Sequence, residues 1–200
     1  MTPQQQMEAQ QRARVQTIKQ DFARLTLGMF ASSFPSYPLT FSFVGQAEAP
    51  QGKADVVEVR GPANFLARLF VMNDTHLPIM LSWTQPATPA NLVITIPGQP
   101  KPATLPPGAI VVEGPAPLPA GATKDQQDAY AKDVAALRQK SLAGKTIENR
   151  IYYSDYRDNE GLQFPFKQRR AIGNDTIEET VFDRFRLNAK VDPKKFEPVK

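Results

Sequence analysis

The sequence predicts an α+β fold in which an antiparallel β-sheet is accompanied by two α-helices and a proline-rich excursion. Three observations predict it. Apolar residues recur at helical spacing in two segments, short alternating runs separated by turn residues fill much of the rest, and ten of the 19 prolines fall between Pro86 and Pro119. The 200 residues have ordinary globular composition, so we expect a single domain, residues 1–200, with one sizeable core.

The first helix is predicted over about residues 6–31. Apolar side chains three or four residues apart share one face of it: Val15, Ile18, Phe22, Leu25 and Met29. Ser32, Ser33, Pro35 and Pro38 follow, and proline disfavours helix in the residue before it. This segment is therefore expected to be an amphipathic helix that ends before Pro38.

The second helix is predicted over about residues 124–143. Thr123 and Gln126 have the spacing of a capping box, in which each side chain accepts a hydrogen bond from the other residue's backbone. Tyr130, Val134 and Leu137 share one face, and a glycine that suits a helix C-terminus follows them at position 144.

Strands are predicted over about residues 39–84. Leu39, Phe41 and Phe43 alternate with polar residues, which is the period of a strand with one buried face. Further runs follow at residues 55–60, 65–72 and 77–84, separated by turn sequences that begin at Pro50, Gly61 and Asn73. This order predicts an antiparallel meander.

A second set of strands is predicted over about residues 146–188, with runs at 146–156, 163–172 and 177–187. The turn sequences Asp158-Asn159-Glu160-Gly161 and Gly173-Asn174-Asp175 separate them and contain residues that accept positive φ. Between the two sets lies the proline-rich excursion, residues 86–120. Its β-branched islands, Leu92–Ile96 and Ile110–Val112, are expected to dock on a sheet edge as short strands.

Few residues could support catalysis. Cysteine is absent, which excludes thiol chemistry. His76 is the only histidine, so a histidine-rich metal site is excluded and a Ser-His-Asp triad would have to use His76. His76 lies in a turn-like sequence without a serine elbow, and no phosphate-binding glycine loop occurs. We therefore expect a protein that is not an enzyme, with no catalytic residue, no metal and no cofactor.

The charge pattern gives only a weak preference for an anionic partner, because the net charge of +4 comes from basic residues mixed with acidic ones. Nucleic acid is not an expected partner. Lys167, Arg169 and Arg170 face Glu178 and Glu179 across a predicted hairpin, which favours cross-strand ion pairs over a phosphate or lipid-headgroup site. No apolar run is long enough to cross a membrane, and the polar first 27 residues do not form a signal peptide.

Apolar side chains occur on both faces of several predicted strands. In one strand Phe65, Ala67 and Leu69 alternate with Leu66 and Phe70, which are also apolar. The two helices can cover one face of the sheet. The other face then requires a second core layer, a ligand, a partner or further polypeptide.

Several stretches resemble uncharacterised, largely acidobacterial relatives of the outer-membrane lipoprotein-sorting proteins, whose fold is that of LolA and LolB. The stretches that carry the resemblance are residues 38–41, 45–50, 52–56, 67–70, 75–78, 154–157, 161–166, 178–180 and 192–197. They are distributed over most of the length of the chain and include Ser154-Asp155-Tyr156-Arg157, Gly161-Leu162-Gln163-Phe164-Pro165 and the closing Asp192-Pro193-Lys194-Lys195-Phe196. The chain resembles the C-terminal portion of such proteins.

The resemblance implies an incomplete or half barrel whose concave apolar face holds acyl chains beneath covering helices in the periplasm. Together with the two-sided strands, it predicts a periplasmic lipid- or lipoprotein-binding module of the cell envelope that is exported and not transmembrane. Residues of one apolar face would line the site: Phe41, Phe43, Leu69, Val71, Leu81, Trp83, Tyr153, Phe164 and Phe166. The alternative is a structural or protein-interaction module that uses the sheet face or the proline-rich segment to bind another envelope protein.

Overall fold

The computed structural model describes residues 2–30, 33–49, 52–190 and 192, and confirms an α+β fold with an open antiparallel sheet. The helices and strands follow in chain order: α1 Pro3–Phe30, β1 Thr40–Ala49, β2 Gly52–Gly61, β3 Phe65–Met72, β4 Pro78–Pro86, β5 Leu92–Thr95, β6 Ile110–Glu113, α2 Lys124–Leu142, β7 Thr146–Asn159, β8 Leu162–Ile172 and β9 Asp175–Val181. Among the described residues, no helix is long and apolar enough to cross a membrane.

The main sheet has seven strands in the order β1-β2-β3-β4-β7-β8-β9, and each neighbouring pair is antiparallel. The hairpin turns fall close to where the sequence predicts them. Residues with positive φ occupy these turns: Ala63 and Asn64, His76, Glu160 and Gly161, and Gly173. Pro50 and Gln51 of the first predicted turn lie outside the described residues, as do residues 193–196 of the closing motif.

The last strand is shorter than its apolar pattern predicts. β9 ends at Val181, whereas the predicted run continues to Leu187. Beyond it Phe185 turns back onto β8, and its ring centroid lies 4.6 Å from that of Phe164 and 5.1 Å from that of Phe166. After β9 the chain therefore packs Phe185 on two buried aromatic rings and does not continue as a strand along β8.

The proline-rich excursion forms a small structure of its own. β5 and β6 pair with each other in parallel as a separate two-stranded sheet, so the expectation that they dock on an edge of the main sheet is wrong. The excursion returns to the main sheet at Gly108, whose amide donates a hydrogen bond to Asp175 Oδ2 at 3.1 Å. The two paired strands contain no proline, whereas prolines on both sides of each strand lack the amides that a longer ladder would need.

The helix α2 has the predicted cap but packs in a different place. The amide of Gln126 donates to Thr123 Oγ1, and the amide of Thr123 donates to Gln126 Oε1, which confirms the capping box. The main packing contact of α2 is with β5, and no residue of the helix is buried. Of the two helices expected to cover the main sheet, α1 packs directly on it, against β3 and β4.

The helix α1 meets the sheet through small residues. Ala23, Leu27 and Gly28 are buried, and a Cβ at position 28 would lie only 1.8 Å from Tyr153 Oη. The sheet presents large side chains here, so close approach requires small side chains on the helix. The face that the sequence predicts to be apolar points elsewhere, because Ile18 and Leu27 are nine residues apart, about 180° around a helix.

Candidate functional site

The two faces of the main sheet differ in what covers them. On one face the buried core combines Ala23 and Leu27 of α1 with Val59, Leu69 and Leu81 of the strands. We call this the covered face. Cross-strand partners lie on the same face and successive residues alternate, so the register assigns the row Val56, Phe70, Met80, Tyr152, Arg169 and Glu179 to the opposite face. We call that the open face.

All nine residues that the sequence suggested as ligand-binding lie on the covered face. The buried ones are Leu69, Leu81, Tyr153, Phe164 and Phe166, while Val71 and Trp83 are half-buried and pack against the core. Phe41 and Phe43, on the edge strand, are exposed. Most of these residues are therefore packed against the chain's own side chains, among them Ala23 and Leu27 of α1 and Phe185.

A groove with a volume of about 750 Å³ lies on the open face. Every strand of the main sheet contributes to its lining: Ala47, Glu48, Ala54, Phe70, Ile79, Met80, Tyr152, Tyr153, Ser154, Lys167, Arg169 and Glu179. Seven flat strands about 4.8 Å apart would span about 29 Å, too wide for one such groove. The sheet is therefore curled, with the open face on the inside of the curve.

The floor of the groove is apolar. Phe70, Met80 and Tyr152 are adjacent cross-strand partners on β3, β4 and β7, and Ile79 lies beside them. The register shifts between Phe70 and Val71, a bulge that brings both Ile79 and Met80 to the lining. A half-barrel with an apolar floor open to solvent can take up hydrocarbon of a matching length.

One end of the groove carries charge. Lys167 Nζ lies 2.9 Å from Glu179 Oε1, and on the covered face Arg170 Nη1 lies 3.0 Å from Glu178 Oε2, which confirms the predicted cross-strand pairing for these residues. Arg169 is different. Its guanidinium carbon lies 4.2 Å from the centroid of the Tyr152 ring, and its Nη1 donates to Thr176 Oγ1 at 3.4 Å.

Arg169 makes no ion pair among the residues that the structure describes. It is held over the Tyr152 ring at the boundary between the apolar floor and solvent. Further along the open face, the carboxylates of Glu58 and Glu148 pair with Arg60 and Arg150. A guanidinium without a carboxylate partner beside an apolar floor can receive a ligand carboxylate or phosphate.

The buried hydroxyl of Tyr153 lies beneath the groove. Tyr153 is 4% exposed, and its hydroxyl makes no hydrogen bond within the described part of the chain. Burial raises the pKa of this hydroxyl, and burial also raises the pKa of Tyr156, whose Oη donates to the carbonyl of Pro78 at 2.6 Å. Both phenols are therefore neutral at physiological pH and act as packing groups.

On the covered face Arg24 lies between two aromatic rings, 5.4 Å from the centroid of Phe65 and 4.7 Å from that of Trp83. Burial lowers the pKa of Arg24, and its ion pair with Asp21 opposes this shift. These contacts of Arg24 stabilise the packing of α1 against the sheet.

His76 lies exposed in the turn between β3 and β4 with a φ of 56°, and its amide donates to the carbonyl of Met72 at 2.9 Å. In the described ranges, no three acidic or histidine side chains are grouped as metal ligands. The geometry gives His76 a role in the turn.

The residues of the groove floor were not among the nine chosen from sequence. The sequence feature that could have indicated them is the apolar character of both faces of β3, where Phe70 follows the core residue Leu69 and points to the opposite face. Which face the helix would cover could not be read from that pattern, because both faces are apolar.

Comparisons with protein-family models, curated proteins and solved structures gave no match for this chain.

Proposed function

We propose that this chain is a non-catalytic binding module that takes up an amphipathic, anionic lipid in the groove of the open face. The observation that carries the proposal is an apolar floor, made by Phe70, Ile79, Met80 and Tyr152, with Arg169 at one end. Arg169 has no carboxylate partner in the described part of the chain. The acyl chain of the lipid would lie on the apolar floor of the groove. Its carboxylate or phosphate would receive charge-assisted hydrogen bonds from Arg169.

The size of the groove supports this kind of ligand. A volume of about 750 Å³ falls within the roughly 300 to 1,000 Å³ of typical small-molecule sites. Each buried methylene contributes about 0.8 kcal/mol, so affinity should rise about fourfold with each methylene that reaches the floor. Binding of this kind requires neither a cofactor nor a catalytic group.

The compartment and the natural ligand are proposed from the sequence resemblance. A relative of lipoprotein-sorting proteins would work in the periplasm, and its ligand would be a lipid or the acyl chain of a lipoprotein. The alternative, an interaction module of the envelope acting through the proline-rich segment, has less support. β5 and β6 of that segment already pair with each other, and Gly108 packs on Ile147 and Ile172.

Displacement of a fluorescent fatty acid tests the proposal with a matched pair of variants. Arg169 and Arg170 are adjacent in β8 but lie on opposite faces, and Arg170 pairs with Glu178. Arg169→Gln should weaken binding of dodecanoate about tenfold or more, since a hydrogen bond to a charged group contributes about 1.5 to 3 kcal/mol. Arg170→Gln should change it less than twofold.

Dodecanol provides a second comparison, because it has the chain but not the carboxylate. Its affinity should be the same for the wild type and for Arg169→Gln. The proposal would be abandoned if the wild type bound no fatty-acid probe, or if both arginine variants lost binding equally.

A further inference from the structure

The outer surface of α1 carries an exposed apolar stripe. Val15, Ile18, Phe22 and Leu25 recur every three or four residues and are between 44% and 58% exposed. They lie on the side of the helix opposite Leu27, which is fully buried on the sheet. The stripe that the sequence predicts as the buried face of the helix is therefore the face that residues 2–30, 33–49, 52–190 and 192 leave exposed.

The stripe continues beyond the sheet. Met7, two turns before Val15, is 65% exposed and lies on the same side of the helix. Within the stripe, the ring of Phe22 packs against that of Phe34, and their centroids lie 5.0 Å apart. Phe41 and Phe43 are exposed on the same face of the sheet, on its edge strand. Met7 and the four residues of the stripe form an apolar surface larger than isolated exposed residues.

Basic residues flank the stripe on both sides. Arg14 lies on one side, and Arg12 and Lys19 lie on the other. Arg14 and Lys19 make no ion pair with any residue that the structure describes, and Arg12 reaches Glu8 only at 4.0 Å with both side chains exposed. Asp21, the other nearby carboxylate, is paired with Arg24.

These charges argue against a second copy of α1 as the occupant. In a parallel pair, with Val15 and Phe22 at one core position and Ile18 and Leu25 at the other, Arg14 would face the Lys19 of the second helix. In an antiparallel pair Lys19 would face its own counterpart. Both arrangements place like charges at the flanking positions that normally set helix pairing. An extended anionic surface can instead attract the basic residues on both sides of the stripe at the same time.

We infer that α1 docks the protein on an anionic lipid bilayer surface, lying in the plane of the headgroups with Val15, Ile18, Phe22 and Leu25 inserted. The apolar stripe supplies burial in the interface, and Arg12, Arg14 and Lys19 supply attraction to anionic headgroups. This surface lies on the side of the sheet away from the groove. Docking and uptake of ligand are therefore separate properties.

Co-sedimentation with sucrose-loaded vesicles tests this inference, because it counts only protein attached to intact vesicles. The wild type should bind vesicles of phosphatidylglycerol and phosphatidylcholine, should bind phosphatidylcholine alone much more weakly, and should be released by salt. Val15→Glu with Ile18→Glu should reduce binding at least tenfold. Leu162→Glu, at a residue exposed to 49% in the β7–β8 hairpin, should leave it unchanged.

Arg14→Gln with Lys19→Gln should reduce binding severalfold, and it tests the inference independently if the glutamate variant does not fold. The inference is overturned if either double variant that folds binds like the wild type, or if neutral vesicles bind as well as anionic ones. It is also overturned if the wild type is a dimer in solution that Val15→Glu with Ile18→Glu converts to a monomer, since the occupant is then a second copy.

Discussion

At the scale of single residues, Gly28 and Tyr153 determine how closely α1 approaches the sheet. Any side chain at position 28 would overlap the Tyr153 ring, which explains a glycine inside a helix where it is otherwise unfavourable. The cost of this contact is a buried hydroxyl with no partner in the described part of the chain. Neither the close contact at Gly28 nor the buried hydroxyl of Tyr153 could be predicted from the spacing of apolar residues in the sequence.

Removing that hydroxyl should stabilise the protein. Tyr153→Phe is expected to raise the free energy of unfolding at pH 7 by about 1 kcal/mol, because an unsatisfied buried polar group is removed without loss of volume. Urea denaturation of both proteins measures the difference. A variant less stable than the wild type would mean that the hydroxyl has a partner.

The same residue predicts a dependence on pH. Burial raises the pKa of Tyr153 in the folded state above its unfolded value of about 10, so its contribution is complete below pH 10 and is lost as pH rises. Above pH 10 the unfolded state releases a proton that the folded state keeps. The free energy of unfolding should then fall by up to about 1.4 kcal/mol per pH unit for this group.

Urea denaturation between pH 9 and pH 11 measures this decline. It should be shallower in Tyr153→Phe, while the wild type and the variant should show similar dependence on pH between 7 and 9. Equal slopes above pH 10 would show that Tyr153 ionises as freely in the folded state as in the unfolded one.

At the scale of elements, the excursion is fixed to the main sheet at Gly108. Gly108 has a φ of 65°, and a Cβ there would lie 2.7 Å from Ile172 Cγ2 and 3.1 Å from Ile147 Cγ2. Gly98 has a similar φ of 76° with nothing within 4 Å of such a Cβ. The two glycines therefore share the backbone requirement but differ in the space available for an added Cβ.

Alanine substitutions at the two glycines separate these effects. Both should lose about 1 to 2 kcal/mol, because each would hold an L-residue in the left-handed region. Gly108→Ala should lose about 1 to 3 kcal/mol more from overpacking against the two isoleucines. Urea denaturation gives both values, and equal losses would mean that Gly108 does not hold the excursion against the sheet.

At the scale of the whole molecule, the main sheet is continuous across the excursion. β4 and β7 are adjacent antiparallel strands although 59 residues separate their ends, and the amide of Ala87 donates to the carbonyl of Lys145 at 2.9 Å. Two such ends can be joined by a two-residue hairpin turn. The excursion and α2 are therefore an insertion into a meander that does not depend on them for its topology.

Replacing residues 88–144 by Asn-Gly tests that independence. The shortened protein should unfold in one cooperative transition followed by Trp83 fluorescence, and it should bind dodecanoate like the full chain. We expect it to be about 2 to 3 kcal/mol less stable, because Ile147 loses the cover of Gly108. Loss of the cooperative transition would show that the excursion is part of the sheet's core.

The sequence by itself determined the local structure of this protein. The capping box of α2, the turns around Asn64, Glu160 and Gly173, and the strand alternation depend on neighbouring residues and could be read directly. The charge pairs of β8 and β9 followed from the same hairpin register. Only the tertiary structure decided which apolar surfaces are buried.

Two faces of the sheet and one stripe of α1 are apolar, and the part of the chain that the structure describes covers only one of these three surfaces. Large residues of the sheet, such as Trp83 and Tyr153, lie against the helix face that carries Ala23, Leu27 and Gly28, and at Gly28 the fit requires a residue without a side chain. That match between a helix and strands distant in sequence turned the apolar stripe outward and left Phe70, Met80 and Tyr152 as the floor of a groove. Periodicity records which residues share a face, whereas the fit of side-chain volumes decides which faces meet.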